Sequence, residues 1–284
     1  MDVGAGGRDA RDTARAMSQE NVEMRFTAMV VICGAALCVF FTSGVSPAAS
    51  ARKTCWSFPA TIVGTPGDDR IRGTNQPDVI VARGGNDVIR GRGGHDRICA
   101  GRGEDEVHGG TAEDFIRGSR GADVLRGSGG GSHELIYGNG GTDRVIGGDG
   151  EDTLSGGGAR DRIWGDRPGG GGNPGSDFPI VGGPGADIIH GGAETDSIAG
   201  AAGSDTIYGD AGRDFVRGQR GEDRLAGGDD IDSILGQDGD DDLFGSRGDD
   251  RLFGQLGDDD LDGGDGTDYC AQGPGSGLIR NCEP

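Results

Sequence analysis

A single apolar residue recurs along this chain at intervals of nine, and each follows an acidic residue by two positions. The apolar series includes Ile71, Ile89, Val107 and Leu252, and it closes at Cys270. One inward side chain per nine residues is too few for the broad apolar stripe of an amphipathic helix. The spacing therefore predicts short strands of three or four residues, such as 205–208, separated by turns.

An acid marks the same slot in 21 consecutive or nearly consecutive units. Glu134 fills one slot, and aspartate fills the others. These are Asp69, Asp78, Asp87, Asp96, Asp105, Asp114, Asp123, Asp143, Asp152, Asp161, Asp187, Asp196, Asp205, Asp214, Asp223, Asp232, Asp241, Asp250, Asp259 and Asp268.

Glycine occupies two further slots of the unit, as expected for a turn with positive φ angles. It stands four residues after the acid in 18 of 21 units and two residues before it in 15 of 21. Two units then form one flattened coil, and successive coils stack as parallel strands. We expect any binding site in these turns to form least well in the units that lack the second glycine. Those units have Gln76, Ala112, Ser132, Ala159, Glu194 or Asp230 in its place.

The complete pattern, G-G-x-G-x-D-x-U-x, is matched in full at 147–152, 182–187 and 263–268. Over residues 60–273 the sequence resembles the haemolysin-type, or repeats-in-toxin (RTX), family of calcium-binding nonapeptide repeats. The resemblance implies an all-β fold, a parallel β-roll or right-handed β-helix (solenoid). It also implies that the twenty aspartates and nearby turn carbonyls bind several Ca²⁺ ions.

Physical arguments from the repeat also favour calcium. Stacked strands lie about 4.8 Å apart, so acids 18 residues apart form a ladder that repels itself unless a cation intervenes. One ladder would hold Asp187 and Asp205, the other Asp196 and Asp214, with ions between successive members. Burying one Ile contributes only about 1.5–3 kcal/mol, whereas ordering nine backbones costs about 9–18 kcal/mol. We therefore expect a chain that is disordered without calcium and folded with it.

Composition and charge limit the fold class and the classes of molecule that the chain is expected to bind. The chain has 63 Gly and 10 Pro in 284 residues, which excludes a helical bundle. Its 48 acids and 27 bases give a net charge of −21, so nucleic acid and direct membrane binding are not expected. The expected counter-partner is a cation.

The N-terminal region has the features of a secretory signal peptide. An apolar stretch, 28–41, is followed by Ala49-Ser50-Ala51, and a membrane anchor is the alternative interpretation. We expect a secreted, extracellular protein, in which Cys55 pairs with Cys99 and Cys270 with Cys282; unpaired cysteines are the alternative. The expected divisions are a signal peptide 1–51, N-terminal cap 52–64, first half of the roll 65–166, Gly/Pro-rich insertion 167–181, second half 182–273 and C-terminal cap 274–284. One continuous roll is favoured over two.

No catalytic motif is apparent outside the repeats. The four histidines, His95, His108, His133 and His190, occupy variable slots in separate units and are expected to be solvated. The sequence therefore predicts a calcium-binding protein that is not an enzyme. The alternative is a calcium-dependent adhesin or a protein that binds a cell wall, a glycan or ice. The irregular outward slots favour the first interpretation.

Overall fold

The computed structural model describes residues 53–129, 132–166, 177 and 179–283. By its contacts the chain divides into Met1–Ser50 and Ala51–Pro284, and every strand of the described residues belongs to the second unit. The expected signal peptide and most of the 167–181 insertion lie outside the described residues. Among the residues described, there is no helix with the length and apolar character needed to cross a membrane.

All regular secondary structure in the described part of the chain is β-strand. A short antiparallel hairpin comes first, formed by β1 (Thr54–Cys55) and β2 (Phe58–Pro59). The remaining strands alternate between two sheets. The odd sheet contains β3 (Ile62–Val63), β5 (Val79–Gly84), β7 (Arg97–Arg102), β9 (Phe115–Arg120), β11 (Leu135–Gly140), β13 (Thr153–Gly158), β15 (Ile180–Pro184), β17 (Ser197–Ala202), β19 (Phe215–Arg220), β21 (Ser233–Asp238), β23 (Arg251–Leu256) and β25 (Tyr269–Ala271). The even sheet contains β4 (Arg70–Arg72), β6 (Val88–Gly93), β8 (Glu106–Thr111), β10 (Val124–Gly129), β12 (Arg144–Asp149), β14 (Arg162–Asp166), β16 (Ile188–Ala193), β18 (Thr206–Ala211), β20 (Arg224–Asp229), β22 (Asp242–Arg247), β24 (Asp260–Asp265) and β26 (Ile279–Arg280).

Each of these sheets has twelve parallel strands, and the two together form a parallel β-solenoid. The pairing register is 18 residues in the regular region, as Thr206 opposite Arg224 shows. Strands on the two sides of the insertion also pair directly, with Arg162 opposite Ile188 in the even sheet and Leu154 opposite Ile180 in the odd sheet. Both sheets therefore run without interruption past residues 167–176.

The core is a file of apolar side chains, one from each unit. Ile207, Val216 and Leu225 are fully buried, and the same cluster extends from Ile71 to Leu261. Successive strands in the file belong to opposite sheets, so these side chains pack between the two sheets, joined near the N-terminal end by Ala82 and Ala100. The nine-residue apolar pattern therefore specified the core correctly.

The strands are longer than the three or four residues expected from the sequence. Thr206–Ala211 has six residues and continues through Gly209 into Asp210, whose φ is 77°. Pairing survives this positive φ because the adjacent coil has the same bend, with Gly228 opposite Asp210 at a φ of 127°. A positive φ at the paired positions of neighbouring coils keeps the ladder of hydrogen bonds in register.

Both ends of the solenoid carry a disulfide, in the two predicted pairings. Cys55 is bonded to Cys99, which holds the β1–β2 hairpin against the odd sheet, and Cys270 is bonded to Cys282. At the C-terminal end the Glu283 carboxylate accepts a hydrogen bond from the Asp268 backbone N–H, 2.5 Å away. The C-terminal segment thus completes the hydrogen bonding of the last coil.

Candidate metal centre

The acids of the repeat are buried at the two edges where the sheets meet. Asp196, Asp205 and Asp214, for example, are at most 2% exposed. One edge aligns Asp69, Asp87, Asp105, Asp123, Asp143, Asp161, Asp187, Asp205, Asp223, Asp241 and Asp259. The other aligns Asp78, Asp96, Asp114, Glu134, Asp152, Asp177, Asp196, Asp214, Asp232, Asp250 and Asp268.

Adjacent acids in a ladder are joined by a hydrogen bond from backbone to side chain. The Asp187 N–H donates to Asp205 Oδ1 at 2.8 Å, and the Asp205 N–H donates to Asp223 Oδ1 at 2.8 Å. One oxygen of each carboxylate is thereby used to hold the coil before it. The second oxygen, Oδ2, takes no part in this hydrogen bond. The expectation that an ion lies between successive carboxylates stays a prediction.

This second oxygen has no hydrogen-bond donor among the described residues in most of the turns, although it is buried. Buried polar atoms without partners are uncommon because each costs a few kcal/mol of desolvation, so a repeated one indicates a missing ligand. The atoms are the Oδ2 of Asp87, Asp96, Asp105, Asp114, Asp123, Asp143, Asp152, Asp161, Asp177, Asp187, Asp196, Asp205, Asp214, Asp223, Asp232, Asp241, Asp250, Asp259 and Asp268.

The glycine that opens each turn packs closely against this oxygen. A Cβ placed on Gly191 would lie 2.7 Å from Asp196 Oδ2 and 2.7 Å from the carbonyl oxygen of Gly209. At Gly182 the corresponding distances, to Asp187 Oδ2 and Gly200 O, are 2.5 and 2.8 Å. A side chain at this position would therefore collide with both the carboxylate oxygen and a carbonyl oxygen of the next coil. Carboxylate and carbonyl oxygens are hard donors of the kind that Ca²⁺ prefers.

The first turn of each ladder differs from the rest. Asp69 Oδ2 accepts from the Thr65 N–H at 2.6 Å, and Asp78 Oδ2 accepts from the Thr74 N–H and hydroxyl at 2.7 and 2.9 Å. Threonine donors therefore fill the position in which other turns present an unpartnered oxygen. Asp69 and Asp78 stay predicted metal ligands, but unlike the other ladder aspartates they already have donors to Oδ2.

Two ladder members were absent from the predicted set of ligands. Asp177 is fully buried and lies between Asp152 and Asp196, and Glu134 lies between Asp114 and Asp152. Asp177 with Ile180 was recognised as a degenerate unit within the insertion, but it was not assigned as a ligand because Ile180 follows three residues later rather than two. Glu134 was recognised as occupying the slot, but its longer side chain was not assigned a ligand role.

Turns that lack the second glycine keep the glycine conformation. Ala112, Ala159, Glu194 and Asp230 have φ angles of 75, 85, 74 and 79°. This left-handed region costs a non-glycine residue about 1–2 kcal/mol. The backbone of these turns nonetheless follows the path of their neighbours. Their capacity to hold an ion stays a prediction.

Burial also changes the acidity of the ladder carboxyls. Desolvation is the largest cause and raises the pKa of Asp232 to about 8, of Asp205 to about 7 and of Asp214 to about 6. The backbone hydrogen bond from the preceding acid opposes this rise in each case. An ionised ladder at neutral pH therefore needs a compensating positive charge.

Side chains alone do not form the site. No group of three or more His, Cys, Asp and Glu side chains in the described part of the chain is arranged to hold a metal ion. The four histidines lie on outer surfaces of different coils, where His95, His133 and His190 each face a carboxylate. A cation in these turns would have one carboxylate oxygen from a turn and would complete its shell with backbone carbonyls.

The fold and the two ladders define a class of protein, the parallel β-solenoids whose turns offer buried carboxylate and carbonyl oxygens to cations. Comparison with known families identifies the particular one. The profile of the RTX calcium-binding nonapeptide repeat (4 copies) matches at 63–98, 72–107, 100–132, 137–167, 179–207, 200–234, 217–252 and 235–270. These matches cover more than half of the chain, so the chain belongs to the RTX calcium-binding repeat family. A search of curated proteins finds no match.

Proposed function

We propose that this chain is a secreted calcium-binding β-roll that folds as it takes up Ca²⁺, with a structural rather than a catalytic role. The observation that supports it is the buried, unpartnered Oδ2 in all turns from Asp87 onwards that hold an aspartate. Bound calcium would compensate the negative charge of these carboxylates. Because an ion would join oxygens of two coils, its binding energy would stabilise the stacking itself.

The residues of the chain hold the ladder ready for this ion. In one turn, Asp205 Oδ1 accepts a hydrogen bond from the preceding coil, and its Oδ2 lies close to Gly200. The glycine at 200 is required because a side chain there would collide with Asp205 Oδ2. The turn thus keeps one carboxylate oxygen buried, and no described residue donates a hydrogen bond to it.

Far-UV circular dichroism during a calcium titration tests coupled folding, with magnesium as the control. We expect a transition from coil to β-structure at roughly 10⁻⁴–10⁻³ M calcium, the range of extracellular sites. Magnesium should not produce it, because its octahedral shell and tightly held waters suit these turns poorly. A protein that is fully folded in chelator, or unchanged by calcium, would refute the proposal.

Two matched variants test which turns hold ions. Asp214→Asn replaces an unpartnered Oδ2 by an amide, and isothermal titration should show fewer bound Ca²⁺ per chain. Asp78→Asn is the control, since Asp78 Oδ2 already accepts from Thr74. The amide that this control introduces can keep those bonds and donate to the Thr61 hydroxyl, which now contacts Asp78 Oδ1 at 3.2 Å. Equal stoichiometry in all three proteins would contradict the assignment of sites.

Secretion rests on the signal-like N-terminal segment and on the two disulfides, which form in oxidising compartments. Expression of the complete chain with N-terminal sequencing of the product tests it. We expect the exported form to begin at Arg52. Retention of residues 1–51 on an exported or membrane-bound product would show that the segment is not a cleaved signal.

A further inference from the structure

A cleft on the outer face of the odd sheet stands apart from the calcium ladders. The β1–β2 hairpin packs on β5 and β7, where the Cys55–Cys99 disulfide fastens it. Trp56, in the turn of the hairpin, reaches Phe115 of β9 and Tyr137 of β11. The space between hairpin and sheet is a cavity of about 450 Å³, within the range of small-molecule sites. We call it the arginine–aromatic cleft, and its chief lining residues are Trp56, Phe58, Arg97, Arg117, Tyr137 and Asn139.

Two guanidinium groups are fixed in this cleft by aromatic rings. Arg97 lies 4.0 Å above the Phe58 ring and 5.0 Å from that of Phe115, and Arg117 lies 4.3 Å above the Trp56 ring. Stacking covers the faces of a guanidinium but leaves its N–H edges available for bidentate hydrogen bonds. Neither arginine forms an ion pair with any described residue, and no carboxylate is among the residues that line the cleft.

The surrounding coils favour an anionic ligand once the ladders are neutralised. Residues 61–126 contain ten arginines and eleven acids, seven of which are ladder aspartates, so four acids remain outside the ladders. Residues 182–271 show the reverse, with thirteen acids outside the ladders and six arginines. The cleft therefore lies at the basic end of a surface whose other end is acidic.

This charge distribution also limits the size of the anion. A nucleic acid or other polymer charged at every residue would extend from the cleft toward coils that repel it. A ligand with a single carboxylate on a ring fits better. Its carboxylate would face the edges of Arg97 and Arg117, its ring would pack on Trp56 and Tyr137, and its hydroxyl groups would meet the Asn139 amide.

We propose that the arginine–aromatic cleft binds a saccharide that ends in a carboxylated sugar. Such binding goes beyond the proposed calcium function and needs only the folded chain. It gives the protein a ligand of its own at the N-terminal end of the roll. It also assigns a purpose to the disulfide-bonded hairpin, which forms one wall of the cleft.

The test is isothermal titration of the protein with two disaccharides that differ by one carboxylate, cellobiouronate and cellobiose. Both titrations are run at about 10 mM calcium, above the usual range for extracellular sites, so that the roll is loaded. We expect cellobiouronate to bind about tenfold more tightly or better, as for charge-assisted hydrogen bonds. Equal affinity for the two sugars, or no binding of either, would overturn the proposal.

Variants locate the site. Arg97→Gln and Arg117→Gln should each abolish the preference for cellobiouronate over cellobiose. Trp56→Ala should weaken the binding of both sugars. Arg217→Gln is the matched control, because Arg217 lies 4.9 Å from the Phe215 ring in the same sheet but outside the cleft. If Arg217→Gln reduces the preference as much as Arg97→Gln, the effect is one of general surface charge and the proposal fails.

Two further measurements separate sugar binding from the calcium proposal. Circular dichroism of each variant at the same calcium concentration checks that the roll is folded, and a sugar titration in chelator is made if the protein is folded without calcium. Failure of calcium-dependent folding then leaves sugar binding measurable, and loss of sugar preference leaves the calcium transition intact. Tighter binding of a single-stranded oligonucleotide that displaces cellobiouronate would also overturn the proposal.

Discussion

Acid should substitute for calcium in the chelated protein. The ladder carboxyls have a pKa near 3.8 when exposed, and burial raises it to about 6 at Asp214 and about 8 at Asp232. Because the folded state then binds protons that the unfolded chain has released, its stability is fully present below pH 4. That stability is lost progressively as the pH rises through 6 to 8.

The size of the effect follows from the individual shifts. Raising the pKa of one carboxyl from 3.8 to about 6 corresponds to a free-energy difference of about 3 kcal/mol between its two protonation states. A domain is usually stable by only about 5–15 kcal/mol, so a few ionised ladder carboxylates without cations suffice to unfold it. At neutral pH the chelated roll should therefore be unfolded, and near pH 4.5 it should be folded.

Circular dichroism in chelator between pH 8 and pH 4 measures this transition. We expect β-structure to appear on acidification, and the calcium concentration at the folding midpoint to fall as the pH falls from 7.5 to 6. A chelated protein that stays unfolded at pH 4.5, with no loss of solubility, would refute the reasoning. So would a chelated protein that is folded at pH 8.

Three other changes test the packing of the roll, each by urea unfolding in saturating calcium. Glu194→Gly should raise the free energy of unfolding by about 1 kcal/mol, since Glu194 holds a φ of 74° that glycine adopts freely. A loss of stability would mean that the contacts of the Glu194 side chain outweigh the strain of its backbone. Ile207→Ala should lower the free energy of unfolding by about 2–5 kcal/mol, because Ile207 is fully buried. A smaller loss would show that neighbouring coils collapse into the cavity left by the side chain. Replacing Cys270 and Cys282 together by serine should lower the free energy of unfolding by about 3 kcal/mol, because the disulfide reduces the entropy cost of closing a short loop. An unchanged free energy of unfolding would mean that the C-terminal cap is held by its other contacts.

The repeat was readable from sequence because each of its slots has one physical requirement. An apolar residue such as Ile207 must be buried, a glycine such as Gly203 must take a φ of 144°, and an acid must stand at the edge. These local requirements recur every nine residues, so the short strands, the single-file core and the two ladders followed from the spacing, and the resemblance to a known repeat family implied the β-roll. Both disulfide pairings also followed, because the cysteines lie at the two ends of the repeat.

The tertiary structure decided what depends on contacts between coils. Spacing gives Asp78 and Asp214 the same role, but Thr74 donates to Oδ2 of Asp78, whereas no described residue donates to Oδ2 of Asp214. Asp177 joins a ladder only because the sheets remain continuous past the insertion. The arginine–aromatic cleft has no signal in the repeat, since Trp56 and Arg117 are 61 positions apart in the sequence and meet only when the hairpin folds back. A periodic sequence determines the unit and its stacking, because those requirements are local. The differences between units arise from side chains that meet only after the coils have stacked.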